Sequence, residues 1–228
     1  MSAIVIANAL APEMVAQIRA AMDRGPFISG KATAVGGAVG LKDNLLLAPD
    51  SPASGRALEL LAGALEAHSG FQTAAWPEAM LRPHFCRYEV GMGYGAHVDA
   101  AIMGEAGSLL RCDVATTVCL NDAGEYDGGE LVIDTAGVPT SWKGRAGDAI
   151  VYSANTLHRV EPVTRGVRVV AVTWIQSMVR DAEQRRILYD LRSVLDTFDR
   201  APGAASAAPL PHVEALRRSY LNLIRMWA

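Results

Sequence analysis

Apolar residues in the first third of the chain recur at helical spacing. Met14, Val15, Ile18 and Met22 mark a helix from Pro12 to Asp23, with proline in its first turn and Gly25-Pro26 as its stop. Leu58, Leu60, Leu61 and Leu65 mark a second from Arg56 to His68, ended by Ser69-Gly70. From Leu81 the period changes to short β-rich runs broken by Gly and Asp: 81–90, 94–99, 110–120, 129–134, 148–153 and 167–176. Asp127-Gly128-Gly129 and Ala146-Gly147-Asp148 read as turns whose glycines permit positive φ. Helical spacing returns from Asp181 to Asp199 through Ile187, Leu188, Leu191, Val194 and Leu195. It returns again from Val213 to Trp227, after an Ala/Pro/Ser-rich linker over 201–211.

This order predicts a mainly β fold with flanking helices, a β-sandwich or jelly-roll core. The expected divisions are an N-terminal helical/β support region over 1–78, the core over 79–180 and a C-terminal helical segment over 181–228. The last stretch crowds Leu216, Leu221, Leu223, Ile224 and Trp227 together, which predicts docking on the domain or a homo-oligomer contact through the C-terminal helix.

Composition narrows the function classes. The chain has 228 residues, half of them hydrophobic, which suffices for one substantial core. A net charge of -3 and the lack of any Lys/Arg run give no footprint for nucleic acid or for anionic lipid. Cys86, Cys112 and Cys119 are odd in number and form no C-x-x-C pair, so they read as reduced core residues. The N-terminus lacks a signal-peptide pattern and no apolar run approaches the ~20 residues of a membrane span. A cytoplasmic protein is expected.

The chemistry concentrates at His97-Val98-Asp99, with His158 and Arg168 far downstream. Residues i and i+2 of a strand share a face, so His97 and Asp99 can offer a nitrogen and an oxygen to one ion. His158, at the edge of a β run, is the best third ligand: His68 ends a helix, His212 follows the linker and His84 sits within a different β run. Two imidazoles and a carboxylate suit non-haem Fe(II) and leave positions open for a co-substrate and O2. The bland alternative is a surface His–Asp pair with His158 capping a strand.

Arg168 opens an alternation in which Arg168, Val170, Val172 and Trp174 share one face. An inward guanidinium needs an anion, either a carboxylate of a bound ligand or a structural partner such as Asp113 or Glu130. Arg165 sits in a turn and reads as solvated. Tyr88 leads into the Gly91-Met92-Gly93-Tyr94-Gly95 approach to the triplet. Its hydroxyl can serve the co-substrate or be satisfied in the core, and Tyr94 is a candidate wall of the substrate pocket.

These segments together resemble a known family: Arg87-Tyr88, the run from Gly91 to Asp99, Tyr126 to Leu131, Ala146-Gly147-Asp148, Leu157 to Val160, Thr164 to Arg168, Trp174 to Arg180 and Leu223 to Trp227. The chain resembles the bacterial PKHD-type hydroxylases, within the Fe(II)/2-oxoglutarate-dependent dioxygenases that include prolyl and lysyl hydroxylases. The likeness covers most of the chain from about residue 80, with a weaker match before it that includes Asn44-Leu45. It implies a double-stranded β-helix in which His97, Asp99 and His158 bind iron and Arg168 binds the distal carboxylate of 2-oxoglutarate.

The resemblance also implies a hydroxylase that consumes 2-oxoglutarate and O2 and releases succinate and CO2, with ascorbate as a reductant. Asp99 argues against halogenation, in which a halide takes the carboxylate's place. The expected substrate is a small molecule, peptide or protein. A non-catalytic sensor of iron or 2-oxoglutarate is the rival reading, because a fold hosts many functions. A nucleic-acid demethylase is disfavoured by the acidic charge. The chain departs from the family's pattern in the 201–211 segment and in the apolar Ala100-Ala101-Ile102-Met103, where a more polar stretch is expected.

Overall fold

A computed structural model describes residues 3–33, 36–104, 107–201 and 210–228. Most of the expected linker, residues 202–209, lies outside the described residues. Two β-sheets face each other as a double-stranded β-helix. The larger runs in the order Ile4–Ile6, Ala149–Ser153, Val114–Cys119, Arg168–Ser177, His84–Tyr88, Leu45–Leu47 and Phe27–Ser29, with Pro77–Met80 paired to the far end of Arg168–Ser177. The smaller runs in the order Val138–Trp142, Leu131–Thr135, His158–Val160, Gly93–His97 and Lys42–Asp43.

The pairs described are antiparallel, so side chains on the larger sheet alternate between two cores. Along Arg168–Ser177, Val170, Val172 and Trp174 point between the sheets, whereas Val169, Ala171 and Ile175 face the helices. On the neighbouring strands Phe85, Val118 and Val151 join the helical side, and Cys86, Ala115 and Tyr152 the interior.

Helix α1 (Pro12–Asp23) follows the predicted bounds and buries Val15, Ile18, Ala21 and Met22. Helix α2 (Pro52–Ala67) begins four residues before the expected start. Ser51 caps it by accepting from the Ser54 amide at 3.2 Å, and Pro52 occupies the first turn, where its missing N–H costs nothing. Ser69-Gly70 does not end the helical region. The His68 ring accepts from the Phe71 amide at 3.2 Å and starts a further short helix, α3 (Ser69–Ala75).

Helices α4 (Ala182–Asp199) and α5 (Pro211–Trp227) pack on each other around Leu188, Leu195, Val213 and Tyr220, with Leu216, Leu223, Ile224 and Trp227 against that cluster. Most of the apolar face of α5 is therefore covered within the chain, while Leu221 and Met226 are exposed. Arg185 ties α4 to the core: its guanidinium is fully buried and donates to the Val179 and Arg180 carbonyls at 2.8 Å each. Short strands from the first 47 residues complete both sheets, so the N-terminal region is part of the β-architecture as well as its support.

Candidate metal centre

His97 ends the strand Gly93–His97 and lies directly opposite His158 on the next strand. Asp99 is not in a strand. It lies two residues beyond that strand's end, and the turn of the chain rather than strand alternation brings its carboxylate back toward both rings. Asp99 Oδ1 stands 3.9 Å from Nε2 of His97 and 3.9 Å from Nε2 of His158. One donor atom from each of the three residues lies within 4.8 Å of the others, close enough for one ion to gather them.

The opposite ring edges are fixed by the backbone. Nδ1 of His97 is 2.8 Å from the Gly95 carbonyl and Nδ1 of His158 is 2.9 Å from the Thr156 carbonyl. A carbonyl only accepts, so each Nδ1 carries the hydrogen and each Nε2 presents a lone pair to the common point. Burial, with the neighbouring His158 adding to it, pushes His97 below the ordinary imidazole range; burial does the same to His158. Neutral imidazoles are the ligating form.

Burial pushes the Asp99 carboxyl upward, and its Oδ2 is buried with no hydrogen-bond partner. The Trp174 indole N–H is close enough to favour the carboxylate, but neither group completes a well-formed hydrogen bond. A buried, orphaned carboxylate between two nitrogen lone pairs is costly without a cation and suited to one. The donor set therefore fits a divalent non-haem metal.

Tyr94 lies against His97, ring centroids 3.7 Å apart, and Tyr152 meets His158 edge-on at 5.2 Å. Deeper in the interior, Arg168 is 3% exposed and sits opposite Tyr88 in the sheet, its guanidinium carbon 5.0 Å from the Tyr88 ring centroid. Burial pushes the Tyr126 phenol up to about 12, opposed by the nearby Arg168 charge.

Neither structural partner considered for Arg168 pairs with it. Asp113 takes a two-pronged contact from Arg111 at 2.8 Å, and Glu130 faces Lys143 at 3.9 Å. Among the described residues Arg168 forms no ion pair, so an anion-seeking fork remains inside the β-helix. Arg165, in contrast, is exposed and pairs with Asp127 at 2.6 Å.

Gly128 and Gly129 both have positive φ, at 70° and 67°. A Cβ on Gly129 would stand 3.0 Å from Arg168 Cδ and 3.1 Å from the Tyr126 ring, so this turn also shapes the arginine's housing.

Four further residues carry no metal-ligand or anion-binding signal in the sequence. Lys42 lies on a two-residue edge strand opposite Tyr94. Asn44 is buried with both amide atoms unpartnered. His84 and Trp174 meet edge-on at 5.3 Å, and His84 Nδ1 and Trp174 Nε1 are buried without partners. Lys42 and Asn44 come from one N-terminal stretch and His84 and Trp174 from two strands far apart in sequence, so only the fold brings them together. Just past Asp99, a hairpin of Ile102–Met103 with Leu110–Arg111 exposes Ile102 and Leu109.

The chain is similar to known proteins over most of its length. Residues 83–176 match the family model of the 2OG-Fe(II) oxygenase superfamily. A PKHD-type hydroxylase of Burkholderia ambifaria is 40% identical over 226 residues, 98% of this chain and 97% of that protein. One from Hyphomonas neptunium is 43% identical over the same shares. Among solved structures, a prolyl-4-hydroxylase of Pseudomonas putida superposes with a TM-score of 0.55 at 20% identity, covering 77% of this chain and 92% of that one. A prolyl hydroxylase from Trichoplax adhaerens, in complex with a peptide fragment of the oxygen degradation domain of hypoxia inducible factor, gives 0.56 at 15% identity, covering 82% and 86%. At those identities the structures speak to the fold alone.

Proposed function

Since the chain belongs to the PKHD-type hydroxylases of the 2OG-Fe(II) oxygenase superfamily, and is thus an Fe(II)- and 2-oxoglutarate-dependent hydroxylase, we propose that His97, Asp99 and His158 hold its iron and Arg168 its 2-oxoglutarate. The observation that carries this reading is the pairing of a three-donor metal cluster with a buried, unpaired Arg168 in the same interior. When bound, Fe(II) with 2-oxoglutarate and O2 supplies the oxidising power that turns a substrate C–H into C–OH, with release of succinate and CO2.

The protein's own residues do the positioning. The Gly95 and Thr156 carbonyls hold the two imidazoles in the ligating tautomer, and the Trp174 N–H steadies Asp99 as a carboxylate. Arg168 pairs its planar fork with the distal carboxylate of 2-oxoglutarate, over the face of Tyr88 and beside Tyr126. Leu131, Ile133, Ile150 and Val170 wall this space and keep water from the reacting groups. Tyr94 lines the side from which a substrate reaches the metal.

The substrate is a small molecule or a peptide or protein side chain, and the acidic net charge and a sequence without a Lys/Arg run support neither nucleic acid nor membrane as partner. Among the described residues no helix is long and apolar enough to cross a membrane, and we place the enzyme in the cytoplasm, with ascorbate as a reductant. Any self-association through α5 would use its remaining exposed apolar side chains, Leu221 and Met226.

The test is succinate formation from 2-oxoglutarate by the Fe(II)-loaded protein in air. Wild type is expected to produce it, Asp99→Ala to produce none, and Arg168→Met to need far more 2-oxoglutarate. Iron-loaded protein that binds 2-oxoglutarate and forms no succinate with any candidate substrate would instead be a sensor.

A further inference from the structure

Lys42 is the second buried cation of this interior, and nothing in the proposed roles uses it. Its residue is only 7% exposed, and its ammonium donates to one neutral partner, the Thr33 hydroxyl at 2.8 Å. No carboxylate lies within ion-pair distance of it among the described residues. A buried ammonium without a counter-charge is costly to keep, and burial pushes the Lys42 pKa down accordingly; an anion brought beside it would relieve that cost.

The surroundings place Lys42 beside the three-donor cluster. Lys42 lies directly across the sheet from Tyr94, with Nζ 5.5 Å from the ring centroid, and that ring covers the metal ligand His97. The Lys42 charge is felt by Asp99, His97 and His84. His84, edge-on to Trp174, adds a buried ring nitrogen without a partner, able to hydrogen-bond a polar group. Both the Arg168 and the Lys42 charges favour the Cys86 thiolate, so the two cations act on one buried thiol of this interior. One arginine suffices for the distal carboxylate of 2-oxoglutarate, whose other end belongs at the metal, so Lys42 is left for a different anion.

We propose that Lys42, with His84 beside it, binds a carboxylate of the substrate, so that the molecule hydroxylated is an acid held at one end by Lys42 while a carbon further along reaches the metal. This rests on the assignment of Arg168 to 2-oxoglutarate, and the two can fail separately.

The chain contains three lysines, Lys31, Lys42 and Lys143, so protein labelled at lysine Cε gives three NMR signals, with Lys42 assigned by its loss in Lys42→Met. Zn(II)-loaded protein saturated with 2-oxoglutarate is titrated with acetate, the smallest carboxylate, and in parallel with acetamide. The expected result is a saturable shift of the Lys42 signal with acetate alone, with Lys31 and Lys143 unmoved. His84→Leu should weaken that response roughly tenfold. Lys42→Met should change 2-oxoglutarate affinity by no more than about threefold. Should Lys42→Met not fold, Lys42→Arg keeps the charge and is expected to retain saturable acetate binding, read on the Trp174 indole signal.

No acetate-dependent shift, or equal shifts with acetamide, overturns the proposal. So does a Lys42 signal that moves with the first equivalent of 2-oxoglutarate and not further, because Lys42 then serves the co-substrate. The underlying assignment fails instead if Arg168→Met leaves 2-oxoglutarate affinity unchanged.

Discussion

The Tyr94 ring lies nearly parallel to the His97 imidazole, inclined by 18°, although three positions separate the two residues. A regular strand would send them to opposite faces. The bulge between the pairs His158–His97 and Val160–Tyr94 inserts the extra residue that turns both inward. Tyr94 thereby braces a proposed metal ligand whose other edge is tied to Gly95.

Removing this brace should loosen the metal without abolishing its site. Tyr94→Ala is expected to weaken metal affinity by roughly tenfold, the lower end for groups that orient a ligand, and Tyr94→Phe to leave it near wild type. Competition against a chelator measures both. Equal affinities in all three proteins would mean that His97 needs no support from the ring.

Arg168→Met should raise the dissociation constant for 2-oxoglutarate by roughly 30-fold or more, since losing one partner of a desolvated charge pair costs about 2–5 kcal/mol. Metal affinity should hardly change, because Arg168 touches none of the three ligands. Calorimetry on the metal-loaded protein separates the two effects.

Gly129→Ala strains a backbone at φ 67° and sets a methyl 3.0 Å from Arg168 Cδ. The expected cost is about 1–3 kcal/mol in stability, with a several-fold rise in KM for 2-oxoglutarate as the arginine is displaced. A substitution that lowers stability yet leaves that KM untouched would separate the turn from the arginine.

His84 gives a pH dependence of determined sign. Burial, with the Lys42 and Arg82 charges, pushes its imidazole down to about 4, against about 6.5 in an unfolded chain. Between those values the unfolded chain binds a proton that the folded one refuses, so stability falls as pH drops through this interval. Above it both states are neutral and the effect vanishes. The denaturant midpoint of metal-free wild type should fall more steeply than that of His84→Leu as pH drops from about 6.5 toward about 4. Parallel profiles would contradict the buried, neutral ring.

The three donors of the proposed metal centre and Arg168 were visible in the chain because two histidines, a carboxylate and an arginine are unusual among its β-rich runs and the period-2 pattern of 168–174 gives the arginine a side. The long helices were visible because Val15, Ile18 and Met22, or Leu188 and Leu195, keep strict spacing. What was hidden depends on partners far away in sequence. Lys42 sits on a strand too short to alternate, and His84 and Trp174 become neighbours only through the pairing of their strands. Tyr94 shares a face with His97 only because of the bulge. Helix α3 was hidden because Ser69-Gly70 resembles a helix stop, whereas the His68 side chain makes it a start.

The central claim is that one interior holds both the metal and 2-oxoglutarate, and an anaerobic titration of the Fe(II)-loaded protein with 2-oxoglutarate tests it most directly. The predicted result is a visible charge-transfer band that saturates with 2-oxoglutarate, is absent in His158→Ala and needs much more 2-oxoglutarate in Arg168→Met. Protein shown to hold iron but developing no band at any 2-oxoglutarate concentration would contradict the account.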